Sequence, residues 1–199
     1  MRSNLSRRDV LKNLAVGASA GSVLRTIPLA AAEHVHRLVR EERAQASAAG
    51  VYTPKFFSPH AYQTLRSLCQ TIIPPDPQAG GALEAGAPEF IDLLTSENPE
   101  YKLVLGGGLA WLDSTFNDRY GKVFLECTAT QQKALLDQIA YRESARKDPA
   151  LAPGVRFFSL LRNLTTDGFF TSQIGIKYLE YIGNDYLAEF PGCPPLPES

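Results

Sequence analysis

Proline divides this chain into short blocks, and inside each block the apolar residues return at the three- and four-residue spacing of a helix. The sequence carries 14 prolines. A strand needs alternation of period two, and no block offers a run of alternating β-branched residues, so the expected fold is all-α: a single compact helical domain. Ser58 is a good N-cap with Pro59 at the first helical position, and Ala61, Leu65, Leu68 and Ile72 follow on one face until Pro74-Pro75-Asp76-Pro77 stops the helix. A Gly- and Ala-rich loop, 78–86, leads to a short helix at Pro88 to Leu94, and Asn98-Pro99 marks the next boundary. From Glu100 to about Tyr120 a longer helix is predicted with Leu103, Leu109, Leu112 and Phe116 as its apolar face and Gly106-Gly107-Gly108 as its weak point. Thr128 with Gln131 forms a capping box for a helix that carries Leu135, Leu136 and Ile139 to about Glu143. Pro149 and Pro153 bracket a turn before a heavily apolar helix, Val155 to Phe170, with Phe157, Phe158, Leu160, Leu161 and Leu164.

After Gly168 the chain becomes dense in aromatics, with Phe169, Phe170, Tyr178, Tyr181, Tyr186 and Phe190 ahead of Pro191-Gly192-Cys193-Pro194-Pro195. This stretch is expected to be an irregular, Pro-rich C-terminal arm whose aromatics pack on another protein, because partner surfaces favour large rings that need little regular structure.

The N-terminus has a different character. Ser6-Arg7-Arg8-Asp9-Val10-Leu11-Lys12 precedes a mildly apolar run from Leu14 to Leu24, and Ala30-Ala31-Ala32 follows. The pattern is that of a twin-arginine export signal in which Arg7 and Arg8 form the pair and Ala30 and Ala32 admit the peptidase, with cleavage expected after Ala32. Arg25 interrupts the apolar run well short of the ~20 residues of a membrane span. That route moves proteins already folded in the cytoplasm, so the expected destination is the periplasm. Residues 1–32 are the signal, 33–55 a polar helical tether or linker, and 56–199 the domain proper.

Charge and residue types narrow the chemistry. Residues 33–199 keep 15 Lys and Arg against 20 Asp and Glu, a net charge of −5, with no basic stretch to follow a nucleic-acid backbone. Cys69, Cys127 and Cys193 contain no Cys-x-x-Cys spacing, which excludes a zinc knuckle, a thioredoxin-like pair and covalent haem attachment. His34 and His36 fall in the expected tether, leaving His60 on an exposed helix start. The carboxylate pairs Asp113 with Asp118 and Glu89 with Asp92 are read as solvated helix faces. The glycine run lacks the strand and the G-x-G-x-x-G of a dinucleotide fold, so a helix kink or a close helix crossing is expected there. No catalytic, cofactor-binding or metal-binding residue is assigned to this chain.

Several stretches, in order, resemble one family: Phe56-Phe57-Ser58-Pro59 with Thr71-Ile72-Ile73-Pro74, Gly86-Ala87-Pro88-Glu89-Phe90-Ile91-Asp92, Gly108-Leu109-Ala110-Trp111-Leu112-Asp113, and Gln131-Gln132 with Leu135-Leu136-Asp137. Phe157-Phe158 through Leu161-Arg162 to Gly168-Phe169-Phe170-Thr171-Ser172, then Tyr181-Ile182-Gly183-Asn184 with Pro191-Gly192-Cys193-Pro194, complete the likeness. The chain resembles the gluconate 2-dehydrogenase subunit 3 family, the small (gamma) subunits of membrane-associated flavin-dependent sugar dehydrogenases. The resemblance implies a non-catalytic subunit that binds a flavin-dependent catalytic subunit of the glucose-methanol-choline type and carries it through the twin-arginine translocase. It also implies FAD in that partner, haem c in a multihaem cytochrome c subunit, and association with the inner membrane through the complex; the sugar is chosen by the partner. Within the same picture Cys193 forms a disulfide to the catalytic subunit, the alternatives being a free thiol or a pair with Cys127. A stand-alone periplasmic helical enzyme or binding module is the competing reading.

Overall fold

The structure is a computed structural model that describes residues 28–49 and 52–181. In chain order it runs α1 (Leu29–Ala49), α2 (Pro59–Ile72), α3 (Ala82–Ala85), α4 (Ala87–Glu97), α5 (Pro99–Tyr101) and α6 (Gly107–Tyr120), then α7 (Ala129–Ile139), α8 (Arg142–Lys147), α9 (Ala152–Phe170) and α10 (Gln173–Tyr178). No strand occurs among the described residues, where one isolated bridge joins Asp76 to Gly80. The all-α expectation holds, and the caps that announced it are in place. Ser58 Oγ accepts from the Ala61 amide at 3.2 Å, and Thr128 and Gln131 exchange side-chain and backbone bonds as a capping box. The capped helix α7 ends at Ile139 rather than near Glu143, and a separate helix, α8, follows.

The apolar helix α9 runs through the centre. It packs against α4 and α6 most extensively and also meets α1, α2, α3, α7, α8 and α10. Phe157, Leu161, Leu164 and Phe169 are all buried along it, which is why its sequence is apolar on more than one side.

Lys102–Gly106 is a π-helix that joins α5 to α6. The extra residue per turn rotates everything before it relative to the α6 face. Leu103 is therefore 71% exposed, whereas Leu109, Leu112 and Phe116, beyond the bulge, are buried as expected. The glycine run that follows permits a close crossing of α6 and α9: a Cβ at Gly108 would overlap the ring of Phe157, and a Cβ at Gly154 would overlap Trp111. Each helix offers a notch for the other's ring.

Residues 33–49, expected as tether or linker, belong to α1, and α1 packs on α4. Ala32, Val35, His36 and Val39 recur at helical spacing, and all four are buried. The stretch looked polar because Arg37, Arg40, Glu33 and Glu41 share its outer face.

Candidate functional site

Among the described residues the short helix α4 is the best buried element, and its two inward carboxylates organise what surrounds them. Asp92 is fully buried. Its Oδ2 accepts from the Tyr52 hydroxyl at 2.9 Å and the Lys55 amide at 2.6 Å, and its Oδ1 from the amides of Phe56 and Phe57 at 3.1 and 3.2 Å. One carboxylate thereby satisfies three backbone donors of a segment, 52–57, that has no regular structure to satisfy them. Burial and the Asp92 charge together push the Tyr52 hydroxyl far above its ordinary range, so it stays a donor.

Glu89, one turn earlier, is 2% exposed. Its Oε1 takes Arg43 Nη2 of α1 at 3.1 Å and faces Arg66 Nη1 of α2 at 3.9 Å. The Arg43 guanidinium also donates to the carbonyls of Leu83 at 2.6 Å and Glu84 at 3.2 Å, which cap the end of α3. Glu89 Oε2 and the Tyr62 hydroxyl are buried with no hydrogen-bond partner among the described residues. Burial, with the Glu89 charge as the second cause, raises the Tyr62 hydroxyl well above its usual value.

These two carboxylates correct the expectation of a solvated face. The signal that could have found them is the composition around them: in Pro88-Glu89-Phe90-Ile91-Asp92-Leu93-Leu94 a carboxylate has no polar face to occupy, so it must be paired inside. Asp113 is placed differently, at the surface. His60 Nε2 lies 2.7 Å from its Oδ2, and its Oδ1 accepts from the Phe124 amide at 3.1 Å. The pair ties the start of α2 and the Phe124 turn to α6.

His36, on α1, completes the inner polar set. Its Nε2 lies 2.8 Å from Thr171 Oγ1, and its ring stacks on Phe90 at 4.8 Å between centroids. Burial, and then the neighbouring Arg40 charge, lower its pKa to about 4, so at neutral pH it is an uncharged ring. Cys69 is fully buried, 3.5 Å from Thr165 Oγ1, and burial pushes its thiol up to about 12. Cys127 is buried as well.

Of the aromatics expected to dock a partner, the structure separates two kinds. Phe169 is buried beside Ala79 and Ala85 with Phe170 edge-on at 5.0 Å, so both finish α9, which ends at Phe170 as its apolar pattern predicts, and Phe169 is withdrawn from any partner. Tyr178 and Tyr181 are 51% and 42% exposed and flank Leu179, itself 54% exposed. Here too the chain is helical, in α10, as far as Tyr178. Tyr186, Phe190 and Cys193 lie outside the described residues, as do Arg7 and Arg8. Ala30 is exposed in the first turn of α1, and Ala32 is fully buried in it.

A second apolar surface surrounds Leu103. An open groove of about 440 Å³ is lined by Leu103, Val104, Gly107, Ala152 and Pro153, with Arg156 at its rim and 3.7 Å from Glu100. No group of three or more His, Cys, Asp or Glu suited to a metal ion occurs among the described residues, and none of their helices is long and apolar enough to cross a membrane.

Neither a curated protein nor a solved structure matches the chain. A family model does, over residues 59–192, from the first residue of α2 past the end of α10. That match covers more than half of the chain, and the protein belongs to the family described as gluconate 2-dehydrogenase subunit 3.

Proposed function

We propose that this protein is the non-catalytic export and stabilising subunit of a periplasmic flavin-dependent dehydrogenase. As a family member it is a small subunit of a dehydrogenase complex. The observation that carries the finer reading is the coupling of that membership to Ser6-Arg7-Arg8 and the apolar run behind it, a signal suited to cargo that folds around its cofactor before export. The catalytic subunit, of the glucose-methanol-choline type, holds the FAD and brings no signal of its own. A multihaem cytochrome c takes the electrons onward at the inner membrane. Tyr178, Leu179 and Tyr181 are the exposed apolar side chains nearest the C-terminal segment, and they supply the start of the docking surface. Cys193 bonds the two subunits covalently.

Replacement of Arg7 and Arg8 by Lys tests the carrier role directly. The large flavoprotein and its dehydrogenase activity are expected to disappear from the periplasm and remain in the cytoplasm. If the large subunit still arrives outside, it does not depend on this chain's signal. Non-reducing electrophoresis of the purified complex tests the disulfide: the two subunits should migrate together until reductant is added, and Cys193→Ser should separate them. Co-migration that survives Cys193→Ser removes Cys193 from the bond.

A further inference from the structure

The tripeptide that invites signal cleavage lies inside the folded domain. Ala30, Ala31 and Ala32 occupy the first turn of α1, where the amides of Ala31 and Ala32 bond the Pro28 carbonyl at 2.9 and 3.0 Å. Ala32 is fully buried, and the next turns are anchored by Val35 at 4% and Val39 at 3% exposure. Polar contacts hold the same helix: His36 to Thr171, Arg43 to Glu89 and to the end of α3, and Glu42 to Lys55 at 3.0 Å.

Proteases take their substrates as extended strands whose backbone pairs with the enzyme. A helix end held only by its own hydrogen bonds frays, and fraying would present an A-x-A site unaided. This one is also held by its buried face, through Ala32 and Val35. Extending Ala30 to Glu33 breaks the first-turn bonds, draws the Ala32 methyl out of the core and strains the Val35 anchor one turn further on. A chain that crosses the membrane already folded meets the peptidase in this state.

The geometry points to a processing rule: the bond after Ala32 stays intact in the folded protein, so the exported subunit keeps the whole of α1. The inference rests on the export reading for its setting but concerns only what happens to the leader. It places the N-terminal boundary of the functional subunit at or before Leu29, ahead of the segment 59–192 that defines the family.

The test is the intact mass of the small subunit isolated from periplasm with its catalytic partner. The expected mass begins at Leu29 or earlier; a chain beginning at Ala30 or later, Glu33 above all, overturns the inference. A second variant carries about ten Gly and Ser residues inserted between Ala32 and Glu33, a flexible spacer that lifts the tripeptide off the domain. That variant should be cut after Ala32, and if it stays whole, α1 is not what protects the bond and the inference fails. Failure of the export reading is distinguishable, because then neither chain reaches the periplasm. In that case both purified full-length chains are treated with purified signal peptidase in detergent. The insertion variant is expected to be cut at least about tenfold faster, the ratio given by an opening step of ~1.4 kcal/mol, and equal rates overturn the inference.

Discussion

The α6–α9 crossing and the α1–α4 seam close the same core by opposite means. At the crossing two glycine notches receive two rings, Gly108 that of Phe157 and Gly154 that of Trp111, and shape alone decides the fit. At the seam Arg43 of α1 bonds Glu89 of α4 at 3.1 Å, while Asp92 on the same face of α4 holds the 52–57 segment beside it, and charge decides the fit. Apolar notches tolerate changes of pH and salt but no added volume. Buried charges tolerate small shifts in position but no loss of a partner. The seam is thus the chemically sensitive one, and the crossing beneath the open groove is the mechanically sensitive one.

The largest effect that would break this contrast is expected at the crossing. Gly108→Ala places a methyl in the Phe157 ring and should destabilise by about 3 kcal/mol or more, the upper end for overpacked cores. Gly107→Ala, next to it, meets nothing within 4 Å and should stabilise by up to ~1 kcal/mol through the helix propensity of alanine. Urea unfolding of the two variants decides the matter, and equal effects would mean that volume is not what limits the crossing.

Next comes the seam. Asp92→Asn keeps the shape but replaces a charged acceptor of four donors by a single neutral oxygen, and a loss of about 2–3 kcal/mol is expected. The same urea titration reads it. A change below about 0.5 kcal/mol, the range of ordinary surface substitutions, would show that the 52–57 segment is held by its aromatics alone.

The smallest effect is a pH dependence, and its sign differs between two residues on either side of Thr171. His36 is lowered to about 4, so between about pH 6.5 and 4 the unfolded chain binds a proton that the folded one refuses, and stability falls as pH falls. Asp167 is raised by burial to about 6, so between about pH 6 and 3.8 the folded chain binds the proton first, and stability rises as pH falls. The slopes oppose each other. Thermal unfolding of the unaltered protein should be nearly flat over pH 4–6, Asp167→Asn should lose stability on acidification, and His36→Gln should gain it. Parallel profiles for the two variants would show that neither burial controls its group.

The central helices were legible because their signals are local. Ser58 with Pro59, Thr128 with Gln131, and the spacing of Leu109, Leu112 and Phe116 each act within a turn or two of the backbone, and each is where it was expected. The misreadings have nonlocal causes. A single π turn displaced Leu103 from the apolar face to the surface, and periodicity cannot register an added residue whose effect is only to rotate what precedes it. The first part of the aromatic arm, Gln173–Tyr178, is helical and packs against α9 and against α3, far back along the chain.

By itself the sequence determined the all-α class, the capped starts of α2 and α7, and the family, since these follow from capping chemistry, periodicity and ordered motifs. Only the tertiary structure decided that α1 belongs to the core, that Glu89 and Asp92 point inward, and that Ala32 is buried. Burial is the reason. Whether a residue is covered depends on partners tens of positions away, such as Arg43 for Glu89, Tyr52 for Asp92 and Thr171 for His36, and no local pattern of residue types encodes which of those surfaces meet.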